Sequence, residues 1–203
     1  MPEPLPDWAA YERYRALLQR TGSLAADGDF WWAIRPSRRF PTVELRICDG
    51  CPRLEDALCI AALFRHLVEH SIVYRHDSSA CNREQRWITQ ENYWRAMRHG
   101  RQGEFIGLHE QQPVTAAGWL AQLQEQLPID TVDAERAFLH AQRLLRDGTH
   151  ADQQLQCLAQ ASAAGLGRAQ ALRAVLAAGA CKLDPGLTEN GRAFRSHPEP
   201  PAP

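Results

Sequence analysis

Apolar residues recur along this chain with two different periods, and the changes of period mark its elements. Trp8, Tyr11, Tyr14 or Arg15, and Leu18 fall at helical spacing behind Asp7, whose carboxylate can accept from the free amides of a helix start, and Gly22 can supply a left-handed stop. This predicts a helix from Trp8 to about Arg20. The stretch FWWAIRPSRRFPTVELRIC, residues 30 to 48, is strand-like instead and reads as two strands, about 30 to 35 and 42 to 48, around a turn from Pro36 to Pro41. Pro52 then opens a long helix with Leu54, Leu58, Ala61, Phe64 or Arg65, Val68 and Ile72 in register. Residues 75 to 87 are polar and read as a loop, Thr89 as the cap of a helix to about Arg98 that Gly100 terminates, and Phe105 to Leu108 as a short apolar piece. Thr115 begins another helix that ends before Pro128, and Thr131, Thr149 and Gly167 introduce three more, rich in Ala and Leu. The fold class is α+β: short antiparallel strands packed by helices, with a mostly helical C-terminal third.

Alternation sorts the strand residues onto faces. Val43, Leu45 and Ile47 share one side of the second strand, expected to be buried, and Glu44 and Arg46 share the other. In the first strand Trp32 and Ile34 alternate with Trp31, Ala33 and Arg35, so a hairpin would bring Arg35 to the surface of Glu44 and Arg46. A carboxylate between two guanidiniums suits phosphate oxygens and a divalent cation, because arginine offers a fixed fork of donors and glutamate a hard oxygen. The same three residues also make sense as cross-strand ion pairs on a solvated face. In the later helix ENYWRAMRHG, Glu91 or Asn92, Arg95 and Arg98 line one side, with Tyr93, Trp94 and Met97 toward the other.

Composition narrows the chemistry. Among 203 residues, 23 are basic and 24 acidic, which disfavours a polycation built for nucleic acid or an anionic bilayer. Lys182 is the only lysine, which removes Schiff-base and P-loop-lysine mechanisms. No apolar run is long enough to span a bilayer and the start MPEPLPDW lacks the layout of a signal peptide, so the chain reads as cytoplasmic, with its six cysteines as reduced thiols. Cys48-Asp49-Gly50-Cys51 is a lone CxxC, read as a strand end entering a glycine turn rather than as half a zinc site. His66 and His70, spaced i, i+4, lack the glutamate of a metalloprotease motif and read as packing or surface residues.

The run WWAIRPSRRFPTVELRICDGCPRLEDALCIAALFRHL resembles the C-terminal half of the glutamate–cysteine ligase type 2 family, the bacterial ATP-dependent carboxylate-amine ligases. It is more distantly similar to glutamine synthetase, where an Ile-Arg-Pro-like strand precedes a Glu-x-Arg strand, an Asp and an Ala-rich helix; here these are Ile34-Arg35-Pro36, Glu44-Leu45-Arg46, Asp49 and the helix after Pro52. RWITQENYWRAMRHG and, more loosely, RDGTHADQQ extend the likeness. The resemblance implies a partial glutamine synthetase-like fold, with residues 1–128 the C-terminal portion of a catalytic domain, 129–190 a helical extension of it, and 191–203 a disordered proline-rich tail. It implies ATP and Mg²⁺ as cofactors, Glu44 as a metal ligand, and Arg35 and Arg46 as catalytic residues holding the transferred phosphoryl group or acyl phosphate. It puts Asn92, Arg95 and Arg98 in a recurrent family motif, either near the substrate carboxylate or holding the fold around it. The implied substrates are amino acids such as glutamate and cysteine, joined as in glutathione biosynthesis. Family members extend further on the N-terminal side, so the expected partner is a second copy or an N-terminal ligase half, with no nucleic acid and no membrane. The alternative is a truncated, non-catalytic remnant or interaction subunit.

Overall fold

Asp7 starts the first helix as its carboxylate suggests: Oδ1 accepts from the Ala10 amide at 2.6 Å, and α1 runs Trp8–Arg20 to a left-handed Gly22. The structure is a computed structural model that describes residues 5–26, 28–74, 83–108 and 111–180. The expected tail at 191–203, and residues 75–82 of the expected loop, lie outside the described residues. In order follow β1 (Ile34–Pro36), β2 (Val43–Leu45), α2 (Leu54–Tyr74), α3 (Arg83–His99), a 3₁₀ turn, β3 (Glu104–Ile106), β4 (Pro113–Thr115), α4 (Ala116–Gln126), α5 (Val132–Asp147), α6 (His150–Ala163) and α7 (Arg168–Ala180). The class is α+β. The chain divides into two compact units, residues 1–50 with 61–135, and residues 51–60 with those from 136 onward.

The first unit begins with an aromatic block. Tyr11 meets Phe30 edge-on at 5.3 Å, Tyr14 stacks on Phe30 at 5.4 Å, and Phe30 stacks on Trp32 at 4.1 Å, which ties α1 to the segment leading into β1. Arg15, buried in α1, donates to the carbonyls of Ala26 and Gly28 and fixes the same segment. The strands β1 and β2 pair antiparallel with Arg35 opposite Glu44. They are shorter than the expected 30–35 and 42–48, because Pro36 ends β1, Pro41 lies in the six-residue connection that follows, and each sheet has only two strands. Single bonds outside the strands, Arg46 N to Ala33 O and Ser37 N to Thr42 O, carry the pairing slightly further.

Three expectations need correction. The apolar face of the hairpin is not buried: Ile34, Val43 and Ile47 stay 47%, 46% and 43% exposed, because α1 covers only the Phe30 and Trp32 end. In α2 the predicted stripe is largely uncovered, with Leu54, Leu58 and Ile72 exposed, while Asp56, Cys59 and His66 are the buried residues. Residues 83–87 are helical rather than loop, and Thr89 lies inside α3 instead of capping it; its hydroxyl donates to the Gln85 carbonyl one turn earlier at 2.8 Å, which satisfies it without a helix start. The apolar piece at Phe105 is the strand β3, paired with β4, a second hairpin that the sequence did not announce.

The second unit is helical. Phe138 of α5 is its largest fully buried side chain, Ala161 and Ala171 are buried where α6 packs on α7, and the Cys59 thiol donates to the Ala137 carbonyl. Thr149 and Asp152 form a reciprocal capping box that starts α6. His66, in the first unit, is a buried packing residue as expected.

Candidate functional site

The register that sets Arg35 opposite Glu44 puts both side chains on one face of the β1–β2 hairpin, and the alternation two residues on adds Arg46. Arg35 Nε donates to Glu44 Oε2 at 2.9 Å, and Arg46 Nη1 lies 3.7 Å from the same oxygen. The three residues that the sequence placed together are therefore together. Oε1 of Glu44 takes part in neither contact.

The two arginines differ in what else they do. Arg35 also gives Nη1 to the Phe30 carbonyl at 3.0 Å and sets Nη2 3.8 Å from Asp29 Oδ2, and its side chain is only 13% exposed. Arg46 is 34% exposed and lies over Trp31, with Cζ 5.4 Å from the ring centroid. Trp31 is itself 90% exposed, an unusual position for an indole. Asp29 and Trp31 were missed in the sequence. Trp31 shares parity with Arg35, which was a usable signal, whereas nothing in the spacing ties Asp29 to Arg35.

The residues of α3 are arranged otherwise. The Asn92 side-chain amide donates to Ile106 O at 2.9 Å and accepts from Ile106 N at 2.8 Å, completing the free edge of β3. Arg95 pairs with Glu91 at 2.8 Å and donates Nη1 to the Glu104 carbonyl at 3.1 Å. Arg98 is exposed near the helix end. Asn92 and Arg95 thus bind α3 to the second hairpin, and among the described residues their side-chain hydrogen bonds go to Glu91, Glu104 and Ile106 rather than to Glu44. Just past the end of β3, Gln122 of α4 accepts from the Leu108 amide at 2.8 Å.

The family model of glutamate-cysteine ligase family 2 matches residues 1–171. The chain belongs to that family. Its relatives include proteins named "Putative glutamate--cysteine ligase 2" from Pseudomonas putida, 80% identical over 181 residues, and Pseudomonas entomophila, 68% identical over 175. A protein of the same name from Rhodospirillum rubrum is 37% identical over 178 residues. These alignments cover 89%, 86% and 87% of this chain and 49%, 46% and 46% of the relatives, so the chain spans about half the length of the curated relatives it matches. No solved structure matches it.

The donor set also bears on the Mg²⁺ that the family implies. Among the described residues no group of three or more His, Cys, Asp or Glu could hold a metal ion. Glu44 fits as a single hard oxygen ligand to an ion carried chiefly by phosphates, not as part of a protein-built cage. No helix among the described residues is long and apolar enough to cross a membrane.

Proposed function

We propose that this chain supplies the phosphate-handling hairpin of an ATP-dependent carboxylate-amine ligase that forms a γ-glutamyl amide from glutamate and cysteine. The observation that carries this reading is the convergence of Arg35, Glu44 and Arg46 on one hairpin face, in a chain of the glutamate-cysteine ligase family 2. The chemistry needs little more from side chains than charge. A carboxylate oxygen of the acid attacks the γ-phosphorus of ATP and ADP leaves; the amine nitrogen then attacks the acyl carbon, the C–O bond to phosphate breaks, and the amine proton passes to solvent. Charge accumulates on phosphoryl oxygens in both steps, and in this reading Arg46 neutralises it, a role supported by its exposed guanidinium beside Glu44. Bound Mg²⁺ would neutralise phosphate charge, with Glu44 as its one protein ligand here.

A second reading, an interaction subunit completed by a second copy or an N-terminal ligase half, is favoured by the uncovered apolar side of the same hairpin. One experiment addresses both. The purified chain, alone and mixed with the N-terminal half of the Pseudomonas putida relative, is incubated with ATP, Mg²⁺, glutamate and cysteine, and γ-glutamylcysteine and ADP are followed by mass spectrometry. Product that vanishes with Glu44→Ala is expected; product only in the mixture favours the subunit reading. Failure of both samples overturns the ligase assignment.

A further inference from the structure

The two arginines beside Glu44 look equivalent in the sequence, but the structure gives them different work. Two nitrogens of the Arg35 guanidinium are hydrogen-bonded, Nε to Glu44 and Nη1 to the Phe30 carbonyl, and Nη2 faces the Asp29 carboxylate at 3.8 Å, an ion-pair distance longer than a hydrogen bond. A guanidinium so occupied, and 13% exposed, has little capacity left for a ligand. Arg46 instead has a long 3.7 Å contact with Glu44 and the face of Trp31, neither of which uses up its outward donors.

We propose that Asp29 is a positioning residue of this site: it holds Arg35 so that Arg35 orients the Glu44 carboxylate, and Arg46, steadied on Trp31, is the arginine presented to an anionic phosphoryl ligand. The proposal rests on the reading of the hairpin face as a phosphate site. Asp29 suits the task. One oxygen faces Arg35 and the other, Oδ1, is buried with no hydrogen-bond partner, so Arg35 is the charge that compensates an otherwise incompletely satisfied carboxylate. Its charge is felt on the inner side as well, since burial and then the Asp29 carboxylate push the Tyr11 phenol upward. The Phe30 carbonyl that Arg35 uses belongs to the ring stacked on Trp32 and against Tyr11, so the anchor of Arg35 is itself fixed by the aromatic block.

The test reads the arginines directly and does not require turnover. In the ¹⁵N-labelled full chain, the Nε–H resonances of Arg35 and Arg46 are assigned with Arg35→Lys and Arg46→Lys. Arg35 should exchange with water more slowly than Arg46. Asp29→Asn, which keeps shape and removes charge, should speed Arg35 exchange by about fivefold, the scale of a partly exposed ion pair. Asp29→Glu should restore most of the protection, and it also serves if Asp29→Asn loses its dispersed amide spectrum. Adding MgATP to the wild-type chain should shift Arg46 and leave Arg35 in place. Unchanged Arg35 exchange in Asp29→Asn, or a MgATP shift larger at Arg35 than at Arg46, overturns the proposal. If MgATP moves neither arginine, the phosphate-site reading fails and the role given to Arg46 fails with it, while the hold of Asp29 on Arg35 is still judged by the exchange rates.

Discussion

Glu44 and Asp56 are built from the same parts and end in opposite situations. Each is a carboxylate paired with an arginine at about 3 Å and flanked by a second basic group. Asp56, in the first turn of α2, uses both oxygens: Arg53 reaches Oδ2 at 3.0 Å and Oδ1 at 3.2 Å, and His140 Nε2 meets Oδ1 at 2.8 Å, with the carboxylate side chain 8% exposed. Glu44, on a two-stranded hairpin, concentrates both arginines on one oxygen and stays 38% exposed. The pair type is thus no guide to role. Saturation and burial decide it: a carboxylate that is sealed and fully partnered holds a unit together, and one that is open and half-partnered can still take a ligand.

The largest effect is expected where that contrast is sharpest. Asp56→Ala leaves Arg53 and His140 without their shared acceptor and should cost about 3 kcal/mol in urea unfolding of the full chain. Acid should reveal the same carboxylate. Burial alone would raise the Asp56 carboxyl, but the hydrogen bonds from His140 and Arg53 outweigh it and hold the group below 3.8. A depressed native value means that Asp56 contributes stability above the unfolded value and loses it as pH falls through the native one. Wild type should therefore lose this contribution below about pH 3.8, and Asp56→Asn should not. An Asp56→Ala chain as stable as wild type would remove one side of the comparison. Cys59, one turn away, should not complicate it, because burial and then the Asp56 charge push its thiol up to about 11 and keep it protonated at neutral pH.

Asn92→Ala comes next. It removes two hydrogen bonds and leaves both backbone groups of Ile106 without them, for an expected loss of about 2 kcal/mol. Urea unfolding together with hydrogen exchange at the Ile106 amide separates this structural role from the substrate contact implied by family resemblance. A chain that keeps its stability and its Ile106 protection but loses glutamate binding would reverse the assignment.

The sequence was readable where local chemistry dictates geometry. Asp7 and Thr115 cap the helices they were expected to cap, Gly22 and Gly100 adopt left-handed backbone, and strand parity put Arg35, Glu44 and Arg46 on one face. It was unreadable where geometry depends on what lies across from an element. Leu54 and Leu58 fit a helical stripe as well as any core residues, yet α2 buries Asp56 and Cys59, because Arg53 and His140 compensate the cost of burying the Asp56 carboxylate. The β3–β4 hairpin was invisible because its strands are three residues each and owe their place to Asn92 and Gln122, far from them in sequence. Likewise, parity could bring two arginines to one carboxylate but could not show that Asp29 and a backbone carbonyl already occupy one of them.

The smallest stability effects belong to the hairpin, and they are the most informative. Glu44→Ala should cost about 1 kcal/mol, because Arg35 keeps Phe30 and Asp29 as partners, and Arg46→Ala about 0.5 kcal/mol or less, the scale of an exposed pair. Both variants should nevertheless lose binding of MgATP in calorimetry of the full chain. Such a split, large in binding and small in folding, is what an open and half-partnered carboxylate predicts and a sealed one does not. If Arg46→Ala instead cost as much stability as Asp56→Ala, the arginine would be holding the first unit together. Its contacts with Glu44 and Trp31 would then be structural, and the hairpin would have no donor left to offer a phosphoryl group.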